Sequence, residues 1–450
     1  MFVVVFALLN NGRHSMWFDE TYSVSFAERA IKPLLYELAN DEANMGPYYL
    51  TLWAWRHLGT SDVWLRSLSM VWTVAALWIV WGITRRWANN PTAAVAVGML
   101  ALNPFMLSWT VQARGYTMVV ALSATSLWLA DRVRTTTSVP YSVAFGLTAA
   151  ILVATNLAAL FIVVAEVCCL LAFGNRKRLV FPLGVGALVS AVLFAPFGYS
   201  FLTNRRQVRW IPELSWHSFG ASTTRAMGGP LAATAIALGL VALATSMRSP
   251  AQRPRGAMIL ASVIVGLLGV ALFSLVIQPL YIHRYLIGVL PIATVGSAMG
   301  LHAMSGQRMR HIGLVLLPTL VLVGAVVDPS ATTQSTLEDF RRAARLVDAR
   351  IAEGDSVIDV DGHTEITLGR YLEPRTSVVP ILPTGDPQQP YGLGGIDTEP
   401  SRVWLVLRDA SFDTDAAARE RLAWITALYP AVSQRWELTG INLELRRRER

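Results

Sequence analysis

Met16-Trp17-Phe18-Asp19-Glu20-Thr21-Tyr22 follows almost directly on an apolar run that starts at Met1 and ends near Asn11. Two adjacent carboxylates beside a hydrophobic segment are costly to bring near hydrocarbon, so a pair placed there is a functional-site candidate by default. The plainer reading is an interfacial pair facing water. What favours the functional one is a set of arginine-bearing turns further along the chain.

Composition sets the class of protein. Of 450 residues, 53% are apolar and only 15% are charged, which a soluble chain of this length could not sustain over its surface. The formal net charge is +8, carried almost wholly by arginine, since Lys32 and Lys177 are the only lysines. No basic stripe interleaves with aromatics in the manner of a nucleic-acid binder, so nucleic acid is excluded as a partner. The two cysteines, Cys168 and Cys169, are adjacent within an apolar run. They form no disulfide framework and have no metal-ligand spacing.

Apolar runs of roughly 16–22 residues recur through the first two thirds of the chain. They predict spans near residues 1–12, 64–84, 92–108, 117–131, 141–156, 157–173, 179–199, 229–247, 257–277, 285–303 and 312–328, about eleven crossings on the hydropathy rule. Alternate turns carry Arg85-Arg86, Arg132 and Arg134, Arg176-Lys177-Arg178, Arg248 with Arg253 and Arg255, and Arg308 with Arg310, with Asp131 their single acid. The positive-inside rule makes these turns cytoplasmic. The turns between them, the Asp19-Glu20 loop and the C-terminal tail then face outward. The first run is short for a span and lacks a basic start, so either the natural start lies upstream or the helix is stunted and the bilayer adapts.

The reading therefore divides the chain into a transmembrane domain, 1–328, and an extracytoplasmic soluble domain, 329–450. Within the first, the outer loop 13–63 holds two amphipathic stretches, 21–39 and 47–58, expected to lie as interfacial helices. A second outward loop, 200–228, carries Arg205, Arg206 and Arg209 beside Trp210, Trp216 and His217. In the tail, Ser335-Thr336-Leu337-Glu338 reads as a capping box opening a helix that Gly354 stops. Strands are predicted at 356–360, 377–382 and 403–407, a helix at 414–428, and a closing hairpin from 432–438 and 442–446. This tail contains no phosphate loop and no catalytic triad; Asp359, Asp361 and His363 read as a solvated strand end rather than a metal site.

The polar groups at outward span ends are the candidates for chemistry. They are Asp19 and Glu20, Asp41 and Glu42 with Tyr48, Arg66, Arg114 with Tyr116, Asn156, and His283-Arg284-Tyr285. Acids concentrate in the first loop and arginines in later turns, as a displacement on a phosphate-linked donor needs. A carboxylate takes the proton of an incoming hydroxyl, and guanidinium groups hold a phosphate that gains charge as it leaves. One base working opposite the leaving group implies inversion at the sugar carbon. Arg66 and Arg284 could instead simply snorkel to the interface. Arg114 lies in a turn too short to hide it, and His283 has no partner at metal-ligand spacing.

Four segments carry a resemblance to a known family: Trp17-Phe18-Asp19-Glu20; Gly46-Pro47-Tyr48-Tyr49 with Leu58-Gly59 and Leu65-Arg66; Asn103-Pro104 with Gln112-Ala113-Arg114-Gly115-Tyr116; and Arg284-Tyr285-Leu286 with Leu290-Pro291. In these, over roughly residues 13–300, the chain resembles the polytopic GT-C glycosyltransferases, the protein mannosyltransferase and aminoarabinose-transferase-like group that uses polyprenyl-phosphate sugars. The resemblance implies an α-helical polytopic membrane protein with a small C-terminal α/β domain, multi-pass in the cytoplasmic membrane, its active site on the extracytoplasmic side. It implies Asp19 as general base, Glu20 assisting acceptor or metal contacts, and Arg114 with Arg284-Tyr285 holding the lipid phosphate. Its partners would be a polyprenyl-phosphate-linked sugar, membrane lipids and a glycan, lipid or protein acceptor. Two departures leave the acceptor and a divalent metal open. Met45-Gly46-Pro47 lacks the histidine that many relatives place before the proline, and Asn156 stands where a histidine is often found. The expected activity is inverting transfer of a hexose, mannose first. The alternatives are pentose transfer on the same fold, a lipid-linked-sugar transporter or flippase, and a scaffold without catalysis. A transporter calls for broken helices at the midplane and repeated halves; neither is evident in the sequence.

Overall fold

The computed structural model describes residues 2–40, 44–203, 211–247, 252–304, 307–327, 338–386, 389–395, 399–408 and 415–448. Asp41, Glu42, the arginines between 204 and 210, and Ser335 to Leu337 of the expected capping box lie outside them. The chain divides into two compact units. The first comprises Met1–Asn11 and Ala27–Thr333, and the second Gly12–Phe26 and Gln334–Arg450. The Asp19-Glu20 segment therefore belongs with the C-terminal residues and not with the helices that precede and follow it in sequence.

The first unit is helical, with a helix at every apolar run predicted to span. Val289–Ala303 is its most interior member, with 13 of 15 residues buried, and Tyr116–Thr136 follows with 14 of 21; helices apolar on all sides end up inside such bundles. Asp62–Trp87 and Arg253–Val276 are long and apolar enough to cross a membrane singly. Two more spans are obtained if the bent pairs Asn90–Ala101 with Pro104–Thr110 and Trp216–Ala226 with Pro230–Ser246 each count as one. By length and composition the described residues thus provide up to four spans, against the eleven expected. Several of the other apolar helices are short: Val289–Ala303, at 15 residues, rises only about 23 Å, against a hydrocarbon core about 30 Å thick. The expected loop helices appear as Ile31–Asn40 and Gly46–Arg56.

Close helix pairs are made by small residues. A Cβ on Gly300 would meet the Gly239 carbonyl oxygen at 2.1 Å, and one on Gly239 would meet Ser297 Cβ at 2.4 Å, so Pro230–Ser246 and Val289–Ala303 touch backbone to backbone. Gly146 and Gly186 do the same between Val139–Thr155 and Arg176–Thr203. Small-residue contact of this kind is how helices associate where no hydrophobic force separates protein from lipid. At the basic end, buried Asp131 accepts from Arg134 Nη2 at 2.5 Å, Arg255 Nε at 3.2 Å and Trp87 Nε1 at 3.0 Å. The single acid of the positive turns thus ties three helices together.

The second unit has a six-stranded sheet of order β3-β2-β1-β4-β6-β5, with β1 Asp355–Asp359, β2 Val378–Asp386, β3 Gln389–Leu393, β4 Arg402–Arg408, β5 Ala431–Leu438 and β6 Ile441–Arg447. β1 is parallel to both β2 and β4, and the other pairings are antiparallel. Alternation sends Val357, Trp404 and Leu443 to one face, covered by helix Phe340–Asp348. Ile358, Val403 and Leu405 point to the other, with Ile425 of helix Ala416–Leu428. The edge strand β3 went unread in the sequence because its Pro390 and Gly392 mask any alternation. Asp359 and Asp361 are a correction: at 5% and 3% exposure they are buried, not solvated. Asp359 Oδ1 accepts from the backbone N–H of Gly362, His363 and Thr364, which turns the chain sharply after β1.

Replacing Gly300 by valine should lower stability in detergent by about 1–3 kcal/mol through overpacking. Gly82→Ala, whose Cβ meets nothing within 4 Å, should leave the melting temperature unchanged or slightly raised. Thermal melts of the two variants beside wild type check this.

Candidate active site

The polar candidates of the helical unit gather at the end of the bundle opposite its basic turns. Gly115 is their meeting point: its Cβ position lies 3.0 Å from Tyr48 Cβ and 3.3 Å from Thr155 Cγ2. The turn bearing Arg114 is therefore pressed between helix Gly46–Arg56 and the end of Val139–Thr155. Ser69 donates to the Arg114 carbonyl at 3.2 Å and stands 3.4 Å from the Tyr48 hydroxyl. Arg66, one turn earlier on the same helix, is 2% exposed and donates to the Asn11 carbonyl at 2.6 Å. Arg114, 7% exposed, has its guanidinium carbon 5.8 Å from the ring centre of Tyr116. That ring packs on Trp109 at 4.1 Å.

Two asparagines tie the remaining turns to this end. Asn156 accepts from the Ala158 N–H at 3.1 Å and donates to the Tyr285 carbonyl at 2.9 Å, so its amide holds the 3-10 turn His283–Leu286. Asn103 caps helix Pro104–Thr110 and donates to the Met227 carbonyl at 2.8 Å. In that turn Arg284 lies 5.9 Å from the ring centre of Tyr285. His283 packs edge-on to Phe105 at 5.7 Å. Burial, with the charges of Arg225 and Arg284 adding to it, drives the His283 pKa down to about 3, so the imidazole is neutral at physiological pH. Arg225 is the residue the sequence reading missed. It ends helix Trp216–Ala226, and only the packing of that helix on the 283–286 turn brings its charge to His283.

The acids belong to the second unit. Helix Phe18–Glu28 places Asp19 and Glu20 in its first turn, where carboxylates complement the helix dipole. Glu20, fully buried, accepts from the Trp17 N–H at 3.4 Å. The Phe18 N–H is capped from outside the helix by Glu338 Oε2 at 3.0 Å. Glu338 itself is held by Arg408 Nε at 2.8 Å. Burial raises the Glu338 pKa against the opposing pull of Arg408, and the charge of Asp19 adds to the rise.

Among the described residues no group of three or more His, Cys, Asp or Glu stands ready to hold a metal ion. Glu166, inside helix Leu160–Phe173, is fully buried and accepts from Ser126; nothing in the sequence pattern had singled it out.

No family model matches the chain, and no curated protein matches it. Its fold, however, is shared with solved structures. It matches ArnT from Cupriavidus metallidurans in the apo state with a TM-score of 0.63, at 12% identity, over 99% of this chain and 96% of that one. It matches the same protein bound to undecaprenyl phosphate with a TM-score of 0.65 and the same identity and coverage. The likeness is one of fold, and the fold class the sequence resemblance implied is the one observed.

The neutral histidine has a pH consequence. Unfolded, it binds a proton near its ordinary value of 6.5, and folded only near 3. Between those values the unfolded state holds the extra proton, so stability is complete above about pH 6.5 and declines as pH falls toward 3. Melting temperatures from pH 7 to pH 4 should fall less steeply for His283→Gln than for wild type.

Proposed function

We propose that this protein is an inverting membrane glycosyltransferase that moves a sugar from a polyprenyl monophosphate to an acceptor hydroxyl. The supporting observation is the gathering of Arg114, Arg225, His283 and Arg284 with Tyr48 and Tyr116 at one end of the helical unit, on a fold shared with ArnT bound to undecaprenyl phosphate. Asp19 removes the acceptor proton as the acceptor oxygen attacks the anomeric carbon. The bond from that carbon to the phosphate oxygen breaks, and its electron pair leaves with the polyprenyl phosphate. Arg114 and Arg284 stabilise the charge that appears on that phosphate, with Ser69 holding the Arg114 carbonyl. Neutral His283 contributes a hydrogen-bonding group rather than a charge. Polyprenyl phosphate leaves as a stable anion, so a single base suffices, and a single displacement inverts the configuration. The sugar is a hexose, mannose first, and the reaction takes place on the extracytoplasmic side of the cytoplasmic membrane, where the positive-inside rule puts these turns.

The test is release of polyprenyl phosphate and transfer of labelled sugar from the lipid-linked pool of native membranes by purified full-length protein. Asp19→Asn keeps the shape and removes the base, so transfer should fall by on the order of a hundredfold or more. Arg114→Gln should slow transfer and weaken donor saturation. Undiminished transfer by the Asp19 variant sinks the assignment.

A further inference from the structure

The sheet of the second unit has a place where a ligand would be expected. Strand β1 is flanked on both sides by parallel partners, β2 and β4, reached by connections that leave in opposite directions. In open α/β sheets the crevice at the carboxyl ends of such strands is where ligands bind. Here the carboxyl ends are Asp359 to His363 after β1 and Arg408 at the end of β4. Phe18, from the chain's own segment Gly12–Phe26, stands at these ends. The Phe18 ring stands 4.5 Å from the His363 ring, and the Arg408 guanidinium carbon lies 4.6 Å from its centre.

Polar contacts fix the same segment along its length. Ser15 Oγ donates to the Glu338 carbonyl at 2.7 Å, the Met16 N–H donates to the Tyr371 hydroxyl at 2.7 Å, and the Phe18 N–H donates to Glu338 Oε2. Arg408 bridges Glu338 at 2.8 Å and Asp361 at 3.3 Å, and all three side chains are under 10% exposed. A buried three-membered ion network of this kind is a poor source of net stability, because desolvation offsets its attraction. It is an effective source of a single geometry: breaking one member leaves buried charge behind. Through Glu338 it reaches the first N–H of the helix that carries Asp19, and through Asp361 the turn after β1.

We infer that Arg408, Glu338 and Asp361 are positioning residues for Asp19, so that the C-terminal domain is the socket that aims the base rather than a separate module. The inference rests on Asp19 being the base, as proposed above. A displacement of about 1 Å at a reacting group can cost on the order of a hundredfold in rate, so loosening the socket should appear in kcat rather than in donor saturation.

The experiment uses full-length protein and three variants, Arg408→Met, Phe18→Leu and Asp19→Asn. Phe18→Leu removes the ring from the socket while leaving the ion network whole, so it serves if Arg408→Met fails to fold. Amide hydrogen exchange is followed over residues 17–23 and over Tyr116–Thr136, together with kcat and KM for transfer from the labelled lipid-linked sugar pool. The socket variants should raise exchange in 17–23 about tenfold and leave Tyr116–Thr136 unchanged. They should lower kcat about tenfold or more with KM within twofold, and cost nothing further when combined with Asp19→Asn, since groups acting as a unit are non-additive. Unchanged exchange and kcat in both socket variants, with Asp19→Asn inactive, overturns the socket and leaves the base assignment standing. Full transfer by Asp19→Asn overturns the base assignment, and the positioning role with it.

Discussion

A helix end in an apolar body must satisfy its own orphaned backbone groups, because neither lipid nor packed side chains will do so. The helical unit meets this constraint with asparagines that face two ways. Asn89 accepts from the Thr92 N–H. Asn103 caps its own helix while donating to Met227, and Asn156 caps its turn while donating to Tyr285. Each amide closes a local break and fastens a distant turn to it. The arginines and the neutral histidine are carried on the turns so fastened, and the gathering of those groups follows from the way helix ends are closed.

The second unit applies the same rule to charge. Arg408 is buried and supplied with two carboxylates, one of which gives its remaining oxygen to a backbone N–H outside the sheet. Asp359 is committed to three backbone N–H groups of its own turn. Buried acids in this unit act as backbone fasteners, and the tight loop they form after β1 presents His363 to Phe18.

Much of the candidate site was legible in the sequence because it consists of polar residues in segments where apolar ones are expected. Arg114, Arg66, Asn156 and the His283-Arg284-Tyr285 run stood out for that reason, and the structure places them at one end of one unit. Arg225 did not stand out: it lies in an amphipathic stretch where an arginine is ordinary, and only its neighbour gives it meaning. The acid pair was legible, but its surroundings were not. Glu338 and Arg408 lie 320 and about 390 residues beyond Phe18 and Asp19, in a tail that reads by itself as an ordinary soluble domain.

Hydropathy, charge asymmetry and strand alternation determined from the sequence alone that the chain is a helical membrane body with an α/β tail, because these are properties of neighbouring residues and their periods. The company of Arg225 and the attachment of the Asp19 segment to the C-terminal sheet were decided only in three dimensions. Each depends on which distant groups satisfy a buried charge or backbone dipole, and sequence neighbours carry no record of that choice.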